Sequence, residues 1–180
     1  MEVPVLGRVT YDVAFGGAFY AIVDADKIGL SLNDSAYSRL IELGMKIKNS
    51  VIQQQKITHP FEEDLSFLYG TIFTGKSRHR ARHSRNVCIF ANGEVDRSAT
   101  GSGVSARVAL HYARGEKRIG DKNVIESILG STMEVEVAAQ TPYGPHKAVI
   151  PVVSGTASYT GSSNFWFDPD DPLKKCFFIR

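Results

Sequence analysis

Apolar residues in this chain recur with two different spacings, and the switches between them mark its elements. From Asn33 to about Lys56, the residues Ala36, Leu40, Leu43, Ile47 and Val51 return every three or four positions. That period belongs to one face of an α-helix, with Asn33 or Ser35 placed to cap it. Val3 to Thr10, Asp12 to Phe15 and Phe19 to Asp24 read instead as short strands, broken by Gly7 and by the Gly16-Gly17 pair, where the chain must bend sharply. Leu65 to Thr74 and Asn86 to Ala91 are two more strands. A second helix is expected over Ser102 to Arg114, with Val104, Val108 and His111 or Tyr112 near one side and Gly115 as its terminator. Strands are then expected around Asn123 to Leu129, Met133 to Ala139, Lys147 to Val153 and Phe165 to Phe167.

Composition adds bounds to this layout. With 180 residues, 43% hydrophobic and 22% charged, the chain can build one domain with a real core. Its apolar runs are far too short to span a bilayer, and Met1 is not followed by the charged and apolar regions of a secretory leader, so no membrane partner is expected. Two cysteines, Cys88 on an apolar strand and Cys176 near the carboxyl end, suit a reducing compartment and a cytoplasmic location. Each reads as a structural or tail thiol rather than a nucleophile. The histidines His59, His79, His83, His111 and His146 lack metal-type spacing, so no metal is expected.

A net charge of +2 does not by itself imply a polyanionic partner. Five cations do cluster between Lys76 and Arg85. That stretch holds no aromatic for base stacking and reads as a solvated loop, with a nucleic-acid or membrane-surface phosphate contact as the alternative.

The segment Asp96-Arg97-Ser98-Ala99-Thr100-Gly101-Ser102-Gly103 carries the candidate chemistry. Its small residues let backbone amides approach a ligand, and the positive end of the following helix points at that ligand, so a carboxylate can bind without an arginine. Asp96 supplies the charge that an ammonium group needs, and the combination is amino-acid-like. An ordinary surface turn with a threonine or serine cap is the alternative.

The whole string from Val87 to Arg107 resembles the second active-site motif of the proline racemase family, which reads Asp-Arg-Ser-Pro-Cys-Gly-Thr-Gly in the racemases. Asp12 to Tyr20, Glu126 to Ser131 and Asp168 to Leu173 are similar to other family stretches, so the resemblance spans the chain. It implies an α+β fold like that of diaminopimelate epimerase, each half a curved, barrel-like sheet around a central helix, here Ser102 to Arg114. Two departures stand out: Ala99 replaces the motif's proline and Thr100 its cysteine. Racemases use two thiols on opposite faces of the α-carbon, and an unaided alcohol cannot take either part.

Threonine here is the pattern of the family's trans-3-hydroxy-L-proline dehydratases. Those enzymes use one cysteine to take the α-proton while the β-hydroxyl leaves as water, giving pyrroline-2-carboxylate after tautomerisation. That cysteine belongs to a Met-Cys-Gly-His motif absent here, and family members are twice as long, matching this chain in their C-terminal half. The resemblance therefore implies a dehydratase-like half whose own activity is doubtful. An inactive member that binds proline-type ligands, and a proline racemase or hydroxyproline epimerase, are the alternatives.

Carried over residue by residue, Asp96 would pair with the substrate ammonium and the amides of Gly101 and Ser102 would hold its carboxylate. Thr100 would face the ring. Phe90 would pack on the ring, or would simply be a core strand residue. No cofactor is implied, and a homodimer is possible. Residues 1–156 would form the domain and 157–180 a tail crossing to the missing half. Tyr159, Phe165, Trp166, Phe167, Phe177 and Phe178 would then be exposed, unless they fold back on their own domain.

Overall fold

The protein, as a computed structural model, is described over residues 1–174. Cys176, Phe177 and Phe178 lie outside that range. A small hairpin of β1 (Glu2–Val3) and β2 (Gly7–Arg8) precedes a mixed sheet. The sheet comprises β3 (Asp12–Phe15), β4 (Phe19–Asp24), β5 (Leu68–Gly75), β6 (Ser84–Phe90), β7 (Glu94–Val95), β8 (Lys122–Glu126), β9 (Thr132–Tyr143) and β10 (His146–Ser154). Its order is β10-β9-β8-β6-β5-β4-β3, with β7 paired to β6.

Among the described residues, only β4 with β5 and β6 with β8 run parallel. A parallel pair needs a crossover. The first crossover carries α1 (Tyr37–Gln54) and the second carries α2 (Gly101–Ala113).

The helices take opposite faces, and strand alternation decides which residues meet which helix. Ala21, Val23, Val87 and Ile89 pack with Leu40, Leu43, Ile47 and Val51 of α1. The intervening Tyr20, Ile22 and Cys88, with Ile72, pack with Ala106 of α2. Helix α2 also reaches the far end of the sheet, where Val104 and Val108 meet Ile125, Val135 and Val137. Because α2 touches β3 and β4 at one end and β9 and β10 at the other, the sheet is curled around it.

Side chains bridge edge strand β3 to the end of β9. Phe15 lies 5.0 Å from the His59 ring and 6.2 Å from that of Tyr143. His59 Nδ1 accepts the Glu62 N–H at 2.9 Å, so Nε2 holds the ring hydrogen and donates it to the Tyr143 hydroxyl at 3.0 Å.

Local signals set the helix ends. Asn33 Oδ1 accepts the Ala36 N–H at 3.1 Å, and the 3₁₀ turn Asp34–Ala36 leads into α1. Helix α2 stops at Gly115, whose φ of 72° costs a glycine little. At the other end of α2, a Cβ on Gly16 would lie 2.2 Å from the Ser102 carbonyl oxygen and 2.3 Å from the Ala106 nitrogen. The β3–β4 turn is thus seated directly on the backbone of the helix, which no other residue type permits.

Two expectations need correction. The 76–85 segment is in solvent at Lys76, at residues 78–81 and at His83, as a solvated loop should be, but it is not free, because it is latched to Glu126, a side chain with no exposure. The Ser77 hydroxyl and the Arg78 N–H (3.0 Å) donate to Glu126 Oε2, Arg85 donates to Oε1 at 2.7 Å, and Arg82 stands 3.5 Å away. Burial raises the Glu126 pKa, but Ser77, Arg85 and the Arg78 amide outweigh it and bring it down to about 2. Lys76 and the Arg78 and Arg80 side chains are left in solvent.

The second correction concerns Phe165 to Phe167, which form no strand. After β10 ends at Ser154, Tyr159, Phe165 and Phe167 are exposed and Trp166 is 91% exposed.

Candidate active site

Asp96, Thr100, Gly101 and Ser102 meet where β7 turns into α2. The turn is anchored on β6: the Asp96 N–H donates to the Cys88 carbonyl at 3.1 Å, and Asn86 Nδ2 donates to the Ala99 carbonyl at 3.0 Å. Within the turn, Asp96 Oδ1 accepts the Ser98 N–H at 2.7 Å, and the Ser98 hydroxyl accepts the Thr100 N–H at 2.9 Å. These bonds hold Thr100 at φ 66° and ψ 99°, a left-handed conformation that is costly for a β-branched residue.

The consequence is chemical. Thr100 occupies the cap position of α2, yet its side chain makes no cap bond. Its hydroxyl donates instead to Asp96 Oδ2 at 2.9 Å. This removes the reading of an ordinary N-capped turn. The first i to i−4 bond of the helix is Val104 N–H to the Thr100 carbonyl, at 2.8 Å. The N–H groups of Gly101, Ser102 and Gly103 therefore lack helical acceptors and carry the positive end of the helix dipole. A Cβ placed on Gly101 would meet nothing within 4 Å, so the space beside Gly101 is open, whereas Gly103 is buried against Ile72 and Thr100.

Two tyrosines that sequence reasoning missed adjoin the candidate residues. Tyr20 of β4 lies within 2.7 Å of the Ser102 hydroxyl. Burial holds its phenol far above the ordinary value, against the smaller pull of that hydrogen bond. Tyr69 of β5 stacks on Phe90, with ring centroids 5.5 Å apart and planes 11° apart, and stands edge-on to Tyr20 at 5.7 Å. Phe90 therefore belongs to an aromatic wall on the α2 side of the sheet and is only half-buried. The available signal was the alternation of β4, which puts Tyr20 on the face of Ile22.

Cys88 lies beneath the turn. It is fully buried, and burial pushes its thiol up to about 12, only partly countered by a hydrogen bond with Thr100. Such a thiol is not a base near neutral pH. Among the described residues, no three His, Cys, Asp or Glu side chains converge as metal ligands, and no helix is long and apolar enough to cross a membrane. Surface grooves of ≈ 760 to 790 Å³ lie away from this cluster, one of them along β3, His59 and Tyr143.

Fold and site together define a half-barrel whose central helix offers unpaired amides beside a carboxylate, an arrangement suited to an amino-acid zwitterion. The chain belongs to the proline racemase family, whose pattern matches residues 1–178. It is 47% identical to a trans-3-hydroxy-L-proline dehydratase of Colwellia psychrerythraea, over 100% of this chain and 51% of that protein. It is 42% identical to the human trans-3-hydroxy-L-proline dehydratase, again over 100% of this chain and 51% of the relative. Among solved structures, a hydroxyproline epimerase from Agrobacterium vitis with bound trans-4-hydroxy-L-proline superposes with a TM-score of 0.89 at 31% identity, covering 99% of this chain and 51% of that one. The chain spans about half the length of the curated relatives it matches.

Proposed function

We propose that this chain supplies the substrate-binding and leaving-group side of a trans-3-hydroxy-L-proline dehydratase site. The observation that carries this reading is the Thr100 hydroxyl, which turns away from the helix amides to Asp96 and leaves those amides for a ligand. The substrate carboxylate accepts from the Gly101 and Ser102 N–H groups. Tyr20 keeps its proton and donates it to the Ser102 oxygen, which directs the Ser102 hydrogen at the same carboxylate. Phe90, backed by Tyr69, packs on the pyrrolidine ring.

The substrate ammonium takes Asp96. It competes there with Thr100 for the carboxylate, and the freed hydroxyl turns to the 3-hydroxyl of the ring. Elimination then breaks the α-C–H bond and the C3–O bond. The electron pair of the α-C–H bond becomes the enamine double bond between the α-carbon and C3, and the C3 oxygen departs as water by taking up the proton that the base removed from the α-carbon, with Thr100 donating a hydrogen bond to it. Holding the ammonium and carboxylate charges in fixed dipoles rather than water makes the α-proton more acidic.

Cys88, at about 12 and fully buried, is no acceptor for that proton. The acceptor belongs to a second half, consistent with relatives about twice as long, and by itself the chain binds without turnover. The exposed aromatic tail around Trp166 packs on that same second half. Thr100, lacking a thiol, disfavours racemisation.

Calorimetric titration tests the binding role. Trans-3-hydroxy-L-proline is expected to bind the chain, with loss of the signal in Asp96→Asn. A wild-type chain that takes up neither trans-3-hydroxy-L-proline nor L-proline refutes the reading.

A further inference from the structure

We infer that Arg107 and Asn86 are a positioning pair that holds Thr100 in its left-handed conformation and so sets the geometry of the whole turn. The role in ligand binding rests on the function proposed above, whereas the effect on Thr100 does not.

The bonds inside the turn cannot fix it in space. Ser98 N–H to Asp96, Thr100 N–H to Ser98 and Thr100 hydroxyl to Asp96 all join residues within five positions, so they move with the segment. Among the described residues, three hydrogen bonds tie the segment to the sheet, all on β6, one of them joining the Cys88 thiol to Thr100 itself. Asp96 is held by the Cys88 carbonyl, and the end next to Thr100 is held by Asn86 Nδ2 on the Ala99 carbonyl, at 3.0 Å. Asn86 has no exposure and lies next but one to Cys88, on the same face of the strand.

A carboxamide can present either its oxygen or its NH₂ group in one direction, and only the NH₂ group can hold the Ala99 carbonyl. Arg107 removes that freedom. Its guanidinium has donors and no acceptor, and Nη1 donates to Asn86 Oδ1 at 2.8 Å and to the Ser84 hydroxyl at 2.9 Å. A reversed amide would point NH₂ at a cation, so Nδ2 must face Ala99.

The choice of residues makes sense only in these terms. Arg107 is 6% exposed, and among the described residues its side chain bonds only to the neutral Ser84 and Asn86. Burial accordingly lowers it to about 10. An aspartate at position 86 would serve the cation better, but it would have no hydrogen to give to Ala99. The amide satisfies the turn at the expense of the arginine.

Asn86→Asp separates the two roles, because it gives Arg107 an ion pair while placing an anion against the Ala99 carbonyl. The expected result is an unchanged or higher Tm, together with loss of the left-handed HN–Hα coupling of Thr100 in the NMR spectrum. Binding of L-proline is expected to weaken about tenfold or more. Should Asn86→Asp fail to fold, Arg107→Met gives the coupling and affinity readings, since it removes the Nη1 donor that fixes the Asn86 amide. A folded variant that keeps both the Thr100 coupling and wild-type affinity overturns the inference. If the wild-type chain binds no ligand at all, the proposed function falls, and the Thr100 coupling alone still decides the positioning role.

Discussion

Replacing Gly16 with alanine tests how α2 is seated beneath the site. The added Cβ would lie 2.2 Å from the Ser102 carbonyl oxygen, 2.3 Å from the Ala106 nitrogen and 2.9 Å from the Ser105 carbonyl carbon. All three are backbone atoms of one helix, so no side-chain rotation relieves the clash. Opening 2.2 Å to the 3.0 Å that real Cβ contacts require displaces the β3–β4 turn or the first turns of α2 by at least 0.8 Å. Overpacking of this kind costs about 2–3 kcal/mol, a large share of the roughly 10 kcal/mol that holds a typical domain together. The same shift moves Ser102 off Tyr20, whose hydrogen bond is only 2.7 Å long.

Urea unfolding of Gly16→Ala is expected to show a lower midpoint with unchanged slope, and proline titration a weaker affinity. Gly101→Ala is the stability control, since its Cβ meets nothing within 4 Å and helix propensity favours it by about 0.5–1 kcal/mol. A Gly16→Ala protein with wild-type stability and affinity would show that the turn does not seat the helix.

Glu126→Gln leaves the Arg85 guanidinium buried without its counter-charge and should cost about 3 kcal/mol by urea denaturation; a loss below about 1 kcal/mol would mean that the latch contributes little. Stability should also fall on acidification in two overlapping windows, read from Tm against pH. Partial burial, then the charge of Arg107, lowers His83 to about 4, so the unfolded chain takes up the proton first; because the ring is exposed enough for solvent to screen the effect, stability drops only slightly from about pH 6.5 toward 4. Glu126, held at about 2, adds a loss as pH falls from about 4.5 toward 2. A flat Tm between pH 7 and 4 would contradict the His83 assignment. Thr100→Gly relieves the left-handed strain and should raise stability by about 1 kcal/mol, while abolishing any preference for trans-3-hydroxy-L-proline over L-proline; a retained preference in the titration would remove Thr100 from the leaving-group role. Trp166, the single tryptophan and 91% exposed, should emit as a solvated indole and be quenched freely by iodide, and protection in the isolated chain would mean that the tail folds back.

Helix positions and turn chemistry could be read directly from the chain. The spacing of Leu40, Leu43, Ile47 and Val51 fixed α1 because a helix face repeats within one element, and Gly115 ended α2 because a positive φ is a local demand. The Asp96–Gly103 motif was legible as one compact turn for the same reason, since its bonds join near neighbours in sequence. Phe165 to Phe167 failed as a strand because aromatic content favours a strand only where a sheet edge lies alongside, and these residues have none.

What the tertiary structure alone decided involves partners far apart in the chain. Tyr20 meets Ser102 across 82 positions, and Arg82 and Arg85 meet Glu126 only because β8 is laid parallel to β6. The direction of the Thr100 hydroxyl, toward Asp96 and away from the helix, follows from a backbone angle held by β6. Local periodicity determines which residues face inward. It does not determine which inward faces meet, because that depends on strand order and on the curl of the sheet around α2.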